Sequence, residues 1–312
     1  MGPSPVRSLR SACFRAAPPI AAVLGLLALL TGCGDGKAVA GRDAAGPRRG
    51  PDIATTVDSA LFTVDCDLSH SAPDDPIVYP GRPGASHLHD FFGAEGTDAE
   101  STAASLRGGP TSCEDRDDTA AYWVPAVFDG ATKVAPRRVR AYYRAAPGSD
   151  VREVQVLPPG LEMVQGDMHR PAGDWPDVDA VGWGCGFRPK ALHHRPPGDC
   201  TVDSPVTLRL VFPDCWDGEH VRSADHRSHL ARSTDGRCPA SHPVAILQVQ
   251  LSVQYPVWRS TPGSASPDAA GLTLASGGWE GTHGDVLNAW DPDRLTRQTD
   301  LCVRAMANCT IG

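Results

Sequence analysis

The sequence predicts a mainly β protein: a disulfide-stapled, antiparallel β-sandwich or jelly-roll-like domain with long loops and a short C-terminal helix. Three observations carry that expectation. Glycine (32) and proline (29) together approach a fifth of the 312 residues. Each interior proline deletes a helix hydrogen bond, which excludes coiled coils and helical solenoids. Short β-branched and aromatic runs recur between turn signals. An even set of cysteines follows what reads as an export signal. With 41% hydrophobic residues the chain has enough apolar surface for a core, so wholesale disorder is excluded as well.

The strands are expected at Ala120–Phe128, Val139–Ala145, Val151–Leu157, Thr207–Phe212, Val244–Tyr255 and Gly271–Ala275. Leu208, Leu210 and Phe212 share one face under the two-residue repeat of a strand. Val244–Tyr255 sets Ile246, Gln248 and Gln250 against Leu247, Val249, Leu251 and Val253, the pattern of a half-buried antiparallel strand. Only the tail reads as helix. Asp291-Pro292-Asp293 offers an N-cap with proline at the first helical position, and Leu295, Thr299, Cys302, Val303 and Met306 then fall on one side.

Residues 1–33 read as a lipoprotein signal peptide. Arg7, Arg10 and Arg15 form a basic start, and the apolar run Ile20–Leu30 is far short of the roughly 20 residues that span a bilayer. Leu30-Thr31-Gly32-Cys33 then looks like a lipobox, with Cys33 as the lipidated mature N-terminus. Residues 34–58 have the composition of a flexible tether, which leaves 59–312 as a single globular domain. The expected location is the extracytoplasmic face of the cell membrane, held there by lipid at Cys33. A formal charge of −8 argues against a nucleic-acid partner, and a monomer is expected.

Eight cysteines follow the lipobox, none spaced C-x-x-C, which disfavours thiolate zinc sites and dithiol redox chemistry. Pairing neighbours in sequence gives Cys66–Cys113, Cys185–Cys200, Cys215–Cys238 and Cys302–Cys309.

Familiar catalytic signatures are absent: there is no phosphate-binding loop, nucleophile elbow or H-E-x-x-H helix. Three clusters of histidine and carboxylate stand in their place. His87 and His89 are two apart, so a strand would aim both rings at one point. Asp214, Asp217, His226 and His229 lie in a second block, where the spacing of the two histidines would need a helical turn. His283 and Asp285 form another same-face strand pair. Two imidazoles on one face, joined by a third histidine or an aspartate, make a divalent-metal site. The candidate ligands are His87, His89, His226, His283 and Asp285, with a divalent metal ion as the candidate cofactor. The candidate acid/base groups are His87, His89, Asp214, Asp217, His226, His229 and Asp285. Against this stands a plainer reading in which the histidines brace loops. Trp175, Trp216, Trp279 and Trp290 are open to two readings, sugar-stacking platforms or core residues.

Several of these blocks occur in a recognisable order: Asp75-Pro76-Ile77-Val78, Ser86-His87-Leu88-His89-Asp90-Phe91-Phe92-Gly93, Tyr122-Trp123-Val124-Pro125, Phe212–His229 and His283-Gly284-Asp285 to Trp290-Asp291. From about Leu61 onward the chain resembles an uncharacterised secreted family of bacteria and fungi, catalogued only as a domain of unknown function. The resemblance implies export, disulfides and shared His/Asp positions, and no activity. Three functions stay open: an enzyme acting on an envelope or environmental polysaccharide, a non-catalytic surface module binding metal or carbohydrate, and a structural envelope lipoprotein.

Overall fold

The computed structural model describes residues 60–259 and 269–311. The expected signal peptide, Cys33 and the expected tether lie outside the described residues.

The described residues open with the longest strand among them, β1 (Leu61–Ala72). There follow β2 (His89–Gly93), the short helix α1 (Ala103–Leu106), β3 (Ala121–Pro125), β4 (Val127–Asp129), β5 (Thr132–Val134), β6 (Arg138–Arg144), β7 (Glu162–Gly166) and β8 (Val181–Cys185). The second half contains β9 (Val206–Val211), β10 (Cys215–Trp216), β11 (Leu230–Ala231), β12 (Val244–Ala245), β13 (Gln248–Gln254), β14 (Leu272–Leu274), β15 (His283–Leu287), α2 (Pro292–Gln298) and β16 (Asn308–Ile311).

The main sheet runs β7-β15-β3-β2-β1-β6-β13-β9-β8, with β16 beside β1. Every pairing in it is antiparallel except β1 with β16. The length of β1 explains its role as a corner. Its residues 61–67 pair with β6, its residues 68–72 pair with β2, and the register shifts between Leu68 and His70. An irregularity of this kind bends a strand and lets it serve two sheets. The halves on either side of that corner fold face to face. A Cβ added to Gly284 of β15 would come within 2.3 Å of Leu210 Cδ1 on β9, the far half.

Between the halves lies the main core, including Phe62, Phe92, Tyr122, Val124, Tyr143, Leu210, Val249, Leu251, Val286 and Trp290. A second, smaller core covers the outer face of β2, β3, β15 and β7, where Phe91, Trp123, Val164 and Leu287 pack under Ile77 and α1. The four disulfides are Cys66–Cys113, Cys185–Cys200, Cys215–Cys238 and Cys302–Cys309, the sequence-near pairing in each case.

The mainly β, disulfide-stapled architecture with one short C-terminal helix matches expectation, while several element boundaries differ. Val151–Leu157 is not a strand. Asp150 accepts hydrogen bonds from the backbone of Arg152 and Glu153, and this local turn, followed by Pro158-Pro159, competes with any ladder. The run Ala120–Phe128 divides at Ala126, and Val244–Tyr255 divides into β12 and β13. The amide side of β13 is not half-exposed: Gln248, Gln250, Ser252 and Gln254 are all buried. Asp291 caps α2 by accepting from the Arg294 N–H, with proline in the first turn. The helix then widens into a π-turn over Thr299–Arg304 and ends, so Met306, at φ 56°, is exposed instead of joining the apolar side.

Candidate metal centre

The outer face of β2 and β15 is where the histidine clusters meet. Pleating puts His89 and Phe91 on that face of β2, and His283, Asp285 and Leu287 on that face of β15, with Gly284 and Val286 turned inward. At the end of β7, Gly166 lies opposite His283 with φ +90°. A Cβ there would sit 2.6 Å from the His283 Cα, so glycine is what lets β7 run this close to the histidine. The loop from Pro73 to Leu88 folds over the face and adds Asp75 and His87.

His89 Nε2 and His283 Nε2 lie 3.3 Å apart in the interior. The other nitrogen of each ring is bonded to a backbone carbonyl, His89 Nδ1 to Asp74 O at 2.9 Å and His283 Nδ1 to Gly281 O at 2.7 Å. A carbonyl only accepts, so each Nδ1 carries the ring proton and each neutral ring presents a bare lone pair at Nε2. Two lone pairs face each other and repel. A cation resolves that conflict: two ligands at about 2.1 Å and a tetrahedral angle stand about 3.4 Å apart. Carbonyls holding Nδ1–H are the usual outer partners of metal-bound imidazoles.

His87 joins the pair, its ring centroid 4.2 Å from that of His89 and 5.0 Å from that of His283. Ligand atoms of His87, His89 and His283 all fall within 4.8 Å of one another, and so do those of Asp75, His89 and Asp285. The polar groups here are largely unanswered. His87 Nε2, Asp75 Oδ2 and both carboxylate oxygens of Asp285 are buried with no hydrogen-bond partner among the described residues. The other Asp75 oxygen accepts from the backbone of Ile77 and Val78, which fixes the carboxylate in place.

Titration follows from burial. Burial pushes Asp285 well above the ordinary carboxylate range, and the Asp75 charge adds to it against the pull of Arg227. Burial likewise raises Asp75 to about 6, opposed by the Val78 and Ile77 N–H groups. The imidazoles move the other way. Burial lowers His87 to about 4 and His283 to about 3, and the neighbouring histidine charges deepen the shift. His89 is driven well below its ordinary value by burial, then by His283 and His87. At neutral pH the site therefore offers neutral imidazole ligands beside two carboxyl groups that lack a counter-charge. Two further groups, Cys66 with Cys113 and Asp118, and Cys185 with Cys200 and Asp199, contain disulfide sulfurs and have no thiolate to offer.

Of the residues singled out in sequence, His87, His89, His283 and Asp285 come together. His226 lines the wall of a cleft of about 140 Å³ that has His283 and Asp285 in its lining, along with Asp167, His169 and Arg227. It stands outside the ligand clusters, in a left-handed conformation with φ 61°, not on the helical turn its spacing suggested. His229 is turned to structure: Nδ1 meets Ser223 Oγ at 2.9 Å and Nε2 donates to Glu162 O at 2.8 Å. Asp214 accepts from the Ser233 N–H. Asp217 accepts from the N–H groups of Glu219 and His220 and pairs with the His220 ring. These three hold their loops and do not face the histidine cluster through any bond they make. Trp290 is core, donating to Tyr143 Oη, and Trp216 donates to His220 O. Trp279 packs edge-on against Trp183, whereas Trp175 stacks on His194.

Asp75 escaped the sequence reading as a ligand. Its only signal was its place in the Asp75–Val78 block, because an aspartate before proline otherwise marks an ordinary turn.

No curated protein and no solved structure matches the chain. A family model does, described as a domain of unknown function (DUF1996), and it matches residues 75–290. Its first matched residue is Asp75, and the match encloses His87, His89, His283 and Asp285. With most of its length covered, the chain belongs to the DUF1996 family.

Proposed function

We propose that this protein is a metalloprotein whose His87, His89 and His283 hold one divalent transition-metal ion, with Asp285 and Asp75 supplying the compensating negative charge. The observation that carries the proposal is the 3.3 Å approach of two Nε2 lone pairs whose partner nitrogens are both committed to carbonyls. Imidazole-rich sets with carboxylates suit zinc and its neighbours. Two carboxylates neutralise one divalent ion, which removes the cost of burying either alone.

The cleft over His283 and Asp285 favours a catalytic centre over a purely structural one, since a structural ion is normally closed off by protein. A bound ion there would acidify a water molecule, and Arg227, His226 and His169 stand at the cleft wall to meet a substrate. The cleft also continues. His226 lines a second depression with Glu162 and Arg222, and those two residues line a third one reaching Glu100 and Thr102. A groove of that length suits a polymer, so the substrate we propose is an envelope or environmental polysaccharide, reached from a membrane surface to which lipid at Cys33 tethers the chain.

The test begins with metal analysis of protein purified without a histidine tag, followed by a glycan-cleavage screen of the loaded form. About one equivalent of ion is expected in wild type and almost none in His89→Ala or His283→Ala. A wild-type protein that binds no zinc, copper, manganese or nickel, and whose melting is indifferent to all four, would overturn the metal reading. A metal-loaded protein inert toward every glycan would leave the ion and remove the polysaccharide.

A further inference from the structure

On the opposite outer face, that of β6, β13 and β9, a pocket of about 200 Å³ is lined by Arg144, Arg188 and Arg209 together with Tyr142, Phe187 and Gln250. Among the described residues no acidic one lines it. Three arginines line it on a chain whose net charge is −8, so the local charge is opposite in sign to that of the molecule as a whole. The pocket is built, not incidental. Tyr142 and Gln250 are each only 6% exposed. Arg144 is oriented by Nε and Nη2 bonds to the side-chain oxygens of Gln248 and Gln250, at 3.1 and 3.2 Å. The Arg140 guanidinium, itself paired with Asp65, lies 4.4 Å from the Phe187 ring centroid and steadies that wall.

The loop that carries Phe187 and Arg188 is fastened at both ends. Cys185–Cys200 closes it, and Trp183 and His193 exchange backbone hydrogen bonds at 2.8 Å. Arg209 Nη2 donates to Asp179 O at 2.9 Å, and its nearest carboxylate, that of Asp179, is 3.6 Å away and 84% exposed. Its Nε–H is buried with no acceptor among the described residues. A buried guanidinium N–H without an acceptor is costly, and Arg209 carries it in the pocket wall.

We propose that this pocket is a second ligand site, which binds an oxyanion group (carboxylate, phosphate or sulfate) through Arg144, Arg188 and Arg209. Planar guanidinium forks match such groups with paired hydrogen bonds, which makes this arrangement better suited to an anion than a cluster of lysines would be. The site shares no residue with the metal centre and does not depend on it. Carried on a sugar, the group would be a uronate or a sugar sulfate; free in solution, it would be inorganic phosphate or sulfate.

Calorimetric titration of the metal-loaded protein with glucuronate, inorganic phosphate and inorganic sulfate separates these sources. Saturable binding is expected for at least one of the three, weakened at least tenfold by Arg188→Gln and by Arg209→Gln. Arg107→Gln, remote from the pocket, should leave it unchanged, and metal content should be equal in all variants. Because Arg188 is exposed, its variant folds whatever becomes of the Arg209 variant. Binding of glucuronate alone assigns a sugar acid; binding of phosphate or sulfate alone assigns the free ion. The proposal is overturned if none of the three anions binds saturably, or if Arg188→Gln binds as tightly as wild type.

Discussion

Asp65 and Asp285 are both buried aspartates on an outer face of the folded sheet, one on each half, and they have opposite fates. Asp65, on β1, receives Arg138 at 2.9 Å and Arg140 at 2.6 and 2.7 Å. Burial alone would raise its carboxyl, but the two guanidinium groups outweigh that and hold it below the ordinary range. Asp285, on β15, has neither a hydrogen bond nor an ion pair among the described residues, and burial, with the Asp75 charge adding, carries it upward against the weaker pull of Arg227. Both are buried, Asp285 the more deeply, and only Asp65 has partners. A satisfied buried charge reads as structure, while an unsatisfied one, set beside two other unsatisfied ligands, reads as half of an interaction whose other half is absent.

The contrast breaks or holds first on metal affinity. His89→Ala and His283→Ala should each weaken zinc binding by at least about 100-fold, more than the loss usually seen when only an outer partner of a ligand is removed. His229→Ala should leave it within a factor of two or so, because both its nitrogens are spent on Ser223 and Glu162. Competition titration with a chromogenic zinc chelator measures this directly. Equal losses in all three variants would mean that the cluster is only a packed group of histidines.

Unfolding free energies sharpen it next. With the ion at 100 times its dissociation constant, binding should add about 2.7 kcal/mol to stability, seen as a rise in the urea midpoint that EDTA reverses. In EDTA, Asp65→Asn should cost about 2–3 kcal/mol, since it leaves two arginines without their acceptor. Asp285→Asn in the same buffer should be neutral or stabilising, because it replaces a carboxyl whose ionisation burial opposes in the metal-free fold with an amide that cannot ionise. A loss as large as that of Asp65→Asn would show that Asp285 has a structural partner after all.

How much of this could be read from the sequence divides along the same line. Two-residue periodicity placed His283 with Asp285 on β15, whereas His87 comes beside His89 from the loop ahead of β2 and not along a strand. Sequence proximity also placed the disulfides, whose members are near neighbours along the chain. It could not say which distant histidine completes the set. His226 and His229 carried the same chemistry as His283, and only the order β15-β3-β2 separates them. Asp75 was illegible for a related reason: it enters from a loop that makes an ordinary Asx turn and owes its role to the strand beneath. The long corner strand β1 went unseen because its polar second half, Asp67-Leu68-Ser69-His70-Ser71, breaks the apolar alternation just where it leaves one half of the sheet for the other.

His229→Ala should then show up in stability instead of metal affinity, with a loss of about 1–2 kcal/mol from two hydrogen bonds. Measured by urea unfolding in EDTA, a loss near zero would place the ring outside the loop scaffold.

The last expected effect depends on pH and concerns Glu162, whose backbone carbonyl accepts from His229 and whose side chain lines the groove beyond His226. Burial raises its carboxyl to about 7, with the Asp75 charge adding and Arg222 opposing. The unfolded chain keeps it near the ordinary value of about 4.3. Between those two values the folded state holds a proton that the unfolded state has released, so this residue's contribution to stability declines as pH rises from about 4.5 to 7. Glu162→Gln cannot titrate and should lack the decline. In the metal-free protein the melting temperature of the variant should gain on that of wild type steadily across that window and level off above it. A constant difference from pH 4.5 to 8 would mean that Glu162 ionises normally, and that the groove next to the centre is as well solvated as the open surface.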